Sequence, residues 1–195
     1  MAEGNRKEQK ERTRKLIVET AMAEFSAKGF LATNTRDIAA MAGISHGSVF
    51  AHFPTREDLI MAVVSEFGQR VQQQMGQFNN NPDTVKTVLA SHLEIIGQHE
   101  LFYTRLVTEG ALLPDCARSE LARIQTIISS RLLQAVHNEL EEGLVKDLPF
   151  PILFNSWLAL INHYLANKDW FCPGKPVVET LGSQLIDYFL KTIQK

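Results

Sequence analysis

Between residues 29 and 59 the chain signals helix starts and stops so densely that no long element can cross the segment. Gly29 stands where a helix stops, since glycine takes a left-handed C-terminal conformation at little cost. Asn34, with Asp37 three residues on, reads as an N-cap with a capping partner, and the helix it opens ends near Gly43. Ser45 is a further N-cap, for a short helix ending near His52. Pro54 then interrupts the chain, and Thr55 with Asp58 repeats the capping pattern ahead of a longer helix reaching residue 78. Two short helices joined by a tight turn at Gly43 make a helix-turn-helix unit. Ile38, Ala39, Ala42, Ile44, Val49 and Phe53 are its expected internal contacts, and the small Ala39, Ala42 and Gly47 allow close approach.

The remaining chain is also helical in pattern. A first helix is expected from residue 8 to Lys28, with Leu16, Ile17, Ala21 and Phe25 on one face. The tract Asn79-Asn80-Asn81-Pro82-Asp83 breaks the chain, and helices follow near 83–98, 101–112, 116–142, 150–166 and 177–193. Pro114, Gly143 with Pro149 and Pro151, and the Cys172–Pro176 tract separate them. No stretch alternates with period two. The predicted fold is all-α with about nine helices: a three-helix head over 1–54 and a helical body over 55–195.

Composition removes whole classes. With 45% hydrophobic residues the chain can bury a core, which excludes wholesale disorder. The longest apolar stretch, 152–166, is interrupted by Asn155, Ser156, Asn162 and His163, so no membrane span is expected. The first fifteen residues lack an apolar core of the secretory kind, and Cys116 and Cys172 are isolated. A cytoplasmic protein without cofactor or metal is the expectation. His92 and His99 lie seven apart with no third ligand in the pattern, and no HExxH, GxSxG or phosphate-loop motif occurs, so an enzyme is not expected.

Charge is uneven. Residues 1–56 carry nine Lys/Arg against six acids, a balance of +3, whereas the rest of the chain sums to −5. A basic head suits a polyanion. The second short helix is expected to expose Ser45, His46, Gly47, Ser48, Phe50 and His52. Short polar side chains beside a glycine let a helix backbone sit deep in a DNA major groove, with hydroxyl and imidazole groups at base edges. Thr35 and Arg36 on the preceding helix and Arg56 after the Thr55 cap would flank the groove, the arginines as phosphate anchors.

Here the sequence resembles the TetR family of transcriptional regulators. Arg36-Asp37-Ile38-Ala39, Ala42-Gly43-Ile44-Ser45, Gly47-Ser48-Val49-Phe50, His52-Phe53 and Arg56-Glu57-Asp58-Leu59 follow its pattern at the same spacing. Phe50 stands where the family usually has tyrosine, and His46 where lysine or another polar residue is common. The resemblance implies a homodimer reading a pseudo-palindromic double-stranded DNA operator, and a repressor released by a small effector. The apolar body suggests an effector that is itself largely apolar. A helical protein-interaction module without an effector is the alternative.

In the body, Phe78, His92, Phe102, Tyr103, Asn155 and Trp157 are the candidate effector-binding residues. The segment 152–166 is apolar almost all round, so it needs cover from several sides. With 177–193 it is expected to pair with its symmetry mates as a four-helix interface through Phe154, Leu158, Ile161, Leu165, Leu181, Leu185 and Tyr188, where Gly182 permits close approach.

Overall fold

The computed structural model describes residues 2–77 and 84–195. Among them lie ten helices and no strand beyond one isolated bridge between Val145 and Gln194. In chain order they are α1 (Ala2–Lys28), α2 (Thr35–Met41), α3 (His46–His52), α4 (Arg56–Gln77), α5 (Val85–Gln98) and α6 (Glu100–Glu109). After a 3-10 turn (Gly110–Leu112) come α7 (Asp115–Glu141), α8 (Phe150–Ala166), α9 (Lys168–Phe171) and α10 (Val177–Ile193). The expected all-α fold with its N-terminal helix-turn-helix is the observed one. The short α9 is the addition, in a segment expected to be only a break.

The caps forecast from the sequence form locally. Asn34 Oδ1 accepts from the backbone N–H groups of Arg36 (2.9 Å) and Asp37 (3.0 Å). Ser45 Oγ accepts from the Ser48 N–H at 3.1 Å. Thr55 and Asp58 close a reciprocal box: Asp58 Oδ2 accepts from the Thr55 N–H (2.9 Å), and Thr55 Oγ1 accepts from the Asp58 N–H (3.0 Å). Each cap gives partners to helix-end donors that would otherwise have none. The Asn79–Asp83 joint lies outside the described residues.

Helix α1 begins earlier than its apolar pattern. Its first turns carry Glu, Lys, Gln and Arg, good helix formers, and Arg12 pairs with Glu8 at 2.6 Å. The apolar face is Ile17, Val18, Ala21, Met22 and Phe25, all buried, whereas Leu16 is 44% exposed. The spacing pattern puts Leu16 inside; Val18 takes that place. Of the expected helix-turn-helix contacts, Ile38, Ala39, Val49 and Phe53 are buried, and Ala42 and Ile44 are half-buried.

The body surrounds Trp157, whose side chain is fully buried. Trp157 lies on α8 and meets His92 of α5 and Phe189 of α10, while α4, α5 and α7 pack on one another and α10 packs on α5 and α8. Gly182 does provide a close approach, but within the chain: a Cβ there would sit 3.2 Å from Leu93 Cδ1 on α5. Glu100, itself buried, caps α10 from another helix, accepting from the N–H groups of Val177 (2.8 Å) and Val178 (2.9 Å).

Candidate nucleic-acid interface and ligand cavity

Helix α3 sits on α2 through Val49 and leaves its other face to solvent. Gly47 and Ser45 are exposed, Phe50 is 42% exposed, and His46, Ser48 and His52 are half-buried. A Cβ at Gly47 would meet nothing nearer than Ser45 Oγ at 3.9 Å, so the surface there is open. Thr35 and His46 are joined: Thr35 Oγ1 lies 3.0 Å from His46 Nε2, tying the start of α2 to the start of α3. The His46 ring stands edge-on to Phe50, with centroids 4.7 Å apart. Four of the predicted contact residues thus make one pre-ordered edge: Thr35, Ser45, His46 and Phe50. Arg36 is exposed beside it.

Two predicted residues have other surroundings. His52 Nδ1 is buried and has no hydrogen-bond partner among the described residues. Burial, reinforced by the nearby Lys10 and Arg14, holds its imidazole below the ordinary range. Arg14 lies over the Phe53 ring, 5.0 Å from its centroid, which brings α1 cations to the end of α3. Arg56 is half-buried and turned inward, donating to the carbonyl oxygens of Phe30 and of Thr33. Its guanidinium clasps the turn between α1 and α2.

The same turn is held from the body. Glu109, at the end of α6, accepts from the Leu31 N–H at 3.1 Å, and Arg105 donates to the Ala27 carbonyl at 3.0 Å. Gly29 makes this possible. Its φ is +88°, and a Cβ there would lie 2.2 Å from Glu109 Oε1. Behind the turn, Phe30 stacks on Phe25 (4.7 Å) and packs against Phe102 of α6 (5.7 Å). The first turn of α4 and the last turn of α6 therefore grip one six-residue loop.

Both helices also border a body cavity. Phe67 and Val71 (α4), His92, Ile95 and Ile96 (α5), Tyr103 (α6), Leu121, Ile124, Gln125 and Ile128 (α7), and Phe154 and Leu158 (α8) line it. Its volume is about 20 Å³, room for one water-sized molecule. Of the effector candidates, His92 and Tyr103 line this cavity. Trp157 stands behind His92, its Nε1–H donating to His92 Nδ1 at 2.9 Å. Phe102 is buried between Phe30 and Phe67. Asn155 is exposed on the outer face of α8, its Nδ2 donating to the Pro151 carbonyl at 2.7 Å. Phe78 lies outside the described residues.

Sequence reasoning passed over the α7 lining, although Leu121, Ile124, Gln125 and Ile128 share a helical face on which Gln125 is the lone polar residue. That solitary glutamine was the available signal. Glu109 offered none, because its partner Leu31 is 78 residues away.

The residues expected between subunits divide. Phe154, Leu158, Ile161, Leu165 and Leu185 are buried within their own chain, so they have little or no surface left to offer. Leu181 is half-buried and Tyr188 is 62% exposed. The outward face of α8 instead carries Ile152, Ser156, Ala159 and His163. No described helix is long and apolar enough to cross a membrane, and no three His, Cys, Asp or Glu side chains gather as a metal site among the described residues.

Residues 17–63, from mid-α1 into α4, match the family model for bacterial regulatory proteins of the tetR family. Over those residues the chain carries the helix-turn-helix segment that the family model describes. Its architecture agrees along nearly the whole length with solved structures of such regulators. The tetR-family regulator PfmR from Thermus thermophilus superposes with a TM-score of 0.73 at 18% identity, over 90% of this chain and 97% of its own. A putative transcriptional regulator from Saccharomonospora viridis in complex with choline gives 0.77 at 17%, covering 95% and 99%. The regulator FadR from Bacillus subtilis in complex with stearoyl-CoA gives 0.72 at 14%, covering 90% and 96%. This is a tetR-type transcription regulator fold with a DNA-binding helix-turn-helix.

Proposed function

We propose that the chain is a repressor that binds a pseudo-palindromic operator as a homodimer and is released by a small, largely apolar effector. The head is 1–54 and the body 55–195, with α4 joining them. Helix α3 enters the major groove with Ser45, His46, Gly47 and Ser48 toward base edges, while Thr35, Arg36, Phe50 and His52 approach the groove walls. Arg56 acts differently from a simple phosphate anchor: by holding the Phe30 and Thr33 carbonyls it fixes the angle of the head.

The single observation carrying this reading is that α4 and α6 both line the cavity and both grip the α1–α2 turn. At about 20 Å³ the cavity must widen to admit a ligand larger than water, and widening displaces one or both helices. Each displacement reaches the head through Arg56 or Glu109. Effector and operator then favour different head positions, and the effector weakens operator binding only by its differential affinity for the two states. The two likenesses above, one holding choline and the other stearoyl-CoA, show that one fold accommodates very different ligands. The lining of this chain must therefore specify its own.

The dimer would form through the outward face of α8 and α10, with Ile152, Ala159, Leu181 and Tyr188 in contact. Selection of bound fragments from the source genome, followed by binding titration, tests the function. Fragments with two related half-sites spaced by about one helical turn, or a small multiple, are expected. A purified chain that retains no duplex at low ionic strength contradicts it.

A further inference from the structure

The pair formed by Trp157 and His92 sets the chemistry of the cavity. An indole nitrogen can only donate, so His92 Nδ1, 2.9 Å away, must offer its lone pair. The ring proton of neutral His92 then resides on Nε2. His92 borders the cavity, whereas Trp157, bonded to the Nδ1 edge of the ring, does not. Among the described residues Nε2 has no protein partner. Burial pushes the His92 pKa down to about 4, so the ring stays neutral near pH 7 and the tautomer stays fixed.

The other polar groups of the lining are neutral too. Burial pushes the Tyr103 hydroxyl up to about 12, and Gln125 is a half-buried amide. No Lys, Arg, Asp or Glu lines the cavity among the described residues. A carboxylate would enter with no cation to meet it, and an ammonium with no carboxylate. Either would lose its hydration without replacement.

We infer that the cavity takes an uncharged ligand with an apolar body and one hydrogen-bond acceptor, a carbonyl oxygen, received by the Nε2–H of His92. The inference rests on the cavity being the effector site, and it adds the ligand's class. His92 is the specificity-determining residue, and Trp157 is a positioning residue acting through it.

The test uses the full-length protein and displacement of the neutral fluorophore N-phenylnaphthylamine by three chain molecules of similar length: methyl nonyl ketone, decanoate and decylammonium. The ketone is expected to displace at concentrations about tenfold lower than either ion. His92→Phe should weaken the ketone about tenfold while changing fluorophore affinity by less than about twofold. His92→Gln, which restores an N–H, should recover most of the ketone preference and serves if the phenylalanine variant folds poorly. Failure of the fluorophore to bind, equal displacement by all three, tighter binding of either ion, or indifference of the ketone to both substitutions overturns the inference. A ketone that binds as expected but leaves operator affinity unchanged supports the ligand class and counts against the effector reading instead. Operator release by decanoate alone does the reverse.

Discussion

Around α2 and α3, the groups that fix geometry lie close together in the chain. Ser45 caps Ser48, Asn34 caps Asp37, and Thr35 meets His46 eleven residues on. Around the cavity the corresponding partners are remote: His92 and Trp157 are 65 residues apart, and Leu31 and Glu109 are 78 apart. The first region is ordered by local hydrogen bonds over a small core, as suits a surface that must arrive at DNA already shaped. The second is ordered by packing between five helices, and its cavity has room for one water-sized molecule, at about 20 Å³. A region of that kind can be forced open by a ligand, whereas the first can only be moved as a unit. The α1–α2 turn, where Gly29 admits Glu109 and Arg56 clasps two carbonyls, is where the two modes of construction meet.

The sharpest way to break this contrast is at Phe30, fully buried between Phe25 and Phe102. Phe30→Ala should cost about 3–5 kcal/mol, read as a lowered midpoint of urea unfolding. If head and body are one cooperative unit, the variant still unfolds in a single step. Two separated transitions would show that the head is ordered without the body.

A second test addresses the body through pH. The folded-state pKa of His92, about 4, lies below the ordinary 6.5. The unfolded chain therefore takes up the proton first as the pH drops. Stability should be unaffected by this group above pH 6.5 and fall as the pH is lowered toward 4, by about 3 kcal/mol in all. His52 and His99 are shifted in the same direction by burial and add to the slope. Urea midpoints across that range should fall more gently in His92→Gln. Equal slopes in both proteins would mean that His92 is not shielded as described.

Smaller effects belong to the head. Ser45→Ala removes the α3 cap and should cost about 1 kcal/mol by thermal unfolding. Arg36→Ala, at an exposed site, should leave stability unchanged and reduce the salt dependence of operator binding by about one unit of slope. An unchanged slope would remove Arg36 from the phosphate contacts.

The same contrast explains what could be read from the sequence. The caps at Asn34, Ser45 and Thr55 were legible because each motif and its partner fit within four residues. Helix positions in the body were legible from periodicity and from Pro and Gly breaks. The face each body helix turns inward was less so. Phe154, Ile161 and Leu165 belong to a helix apolar nearly all round, and only the placement of α5, α6 and α10 decided which side is covered by the chain itself. Asn155 looked like a polar group for a ligand, yet it lies on the outer face. The inward turn of Arg56 depends on where α1 ends and α4 begins, and no local spacing encodes it. The early start of α1 has no apolar pattern to announce it: residues 6–12 are polar and exposed.

Gly47 offers the most direct test that α3 is the reading element. Space around its position is open, so Gly47→Glu should fold normally, with melting temperature unchanged or slightly raised as helix propensity improves. A carboxylate on the face turned to the groove should nevertheless weaken binding to a selected genomic fragment by at least about a hundredfold in an anisotropy titration. If the folded variant binds that fragment as tightly as the parent protein, α3 does not enter the groove and the account is wrong at its centre.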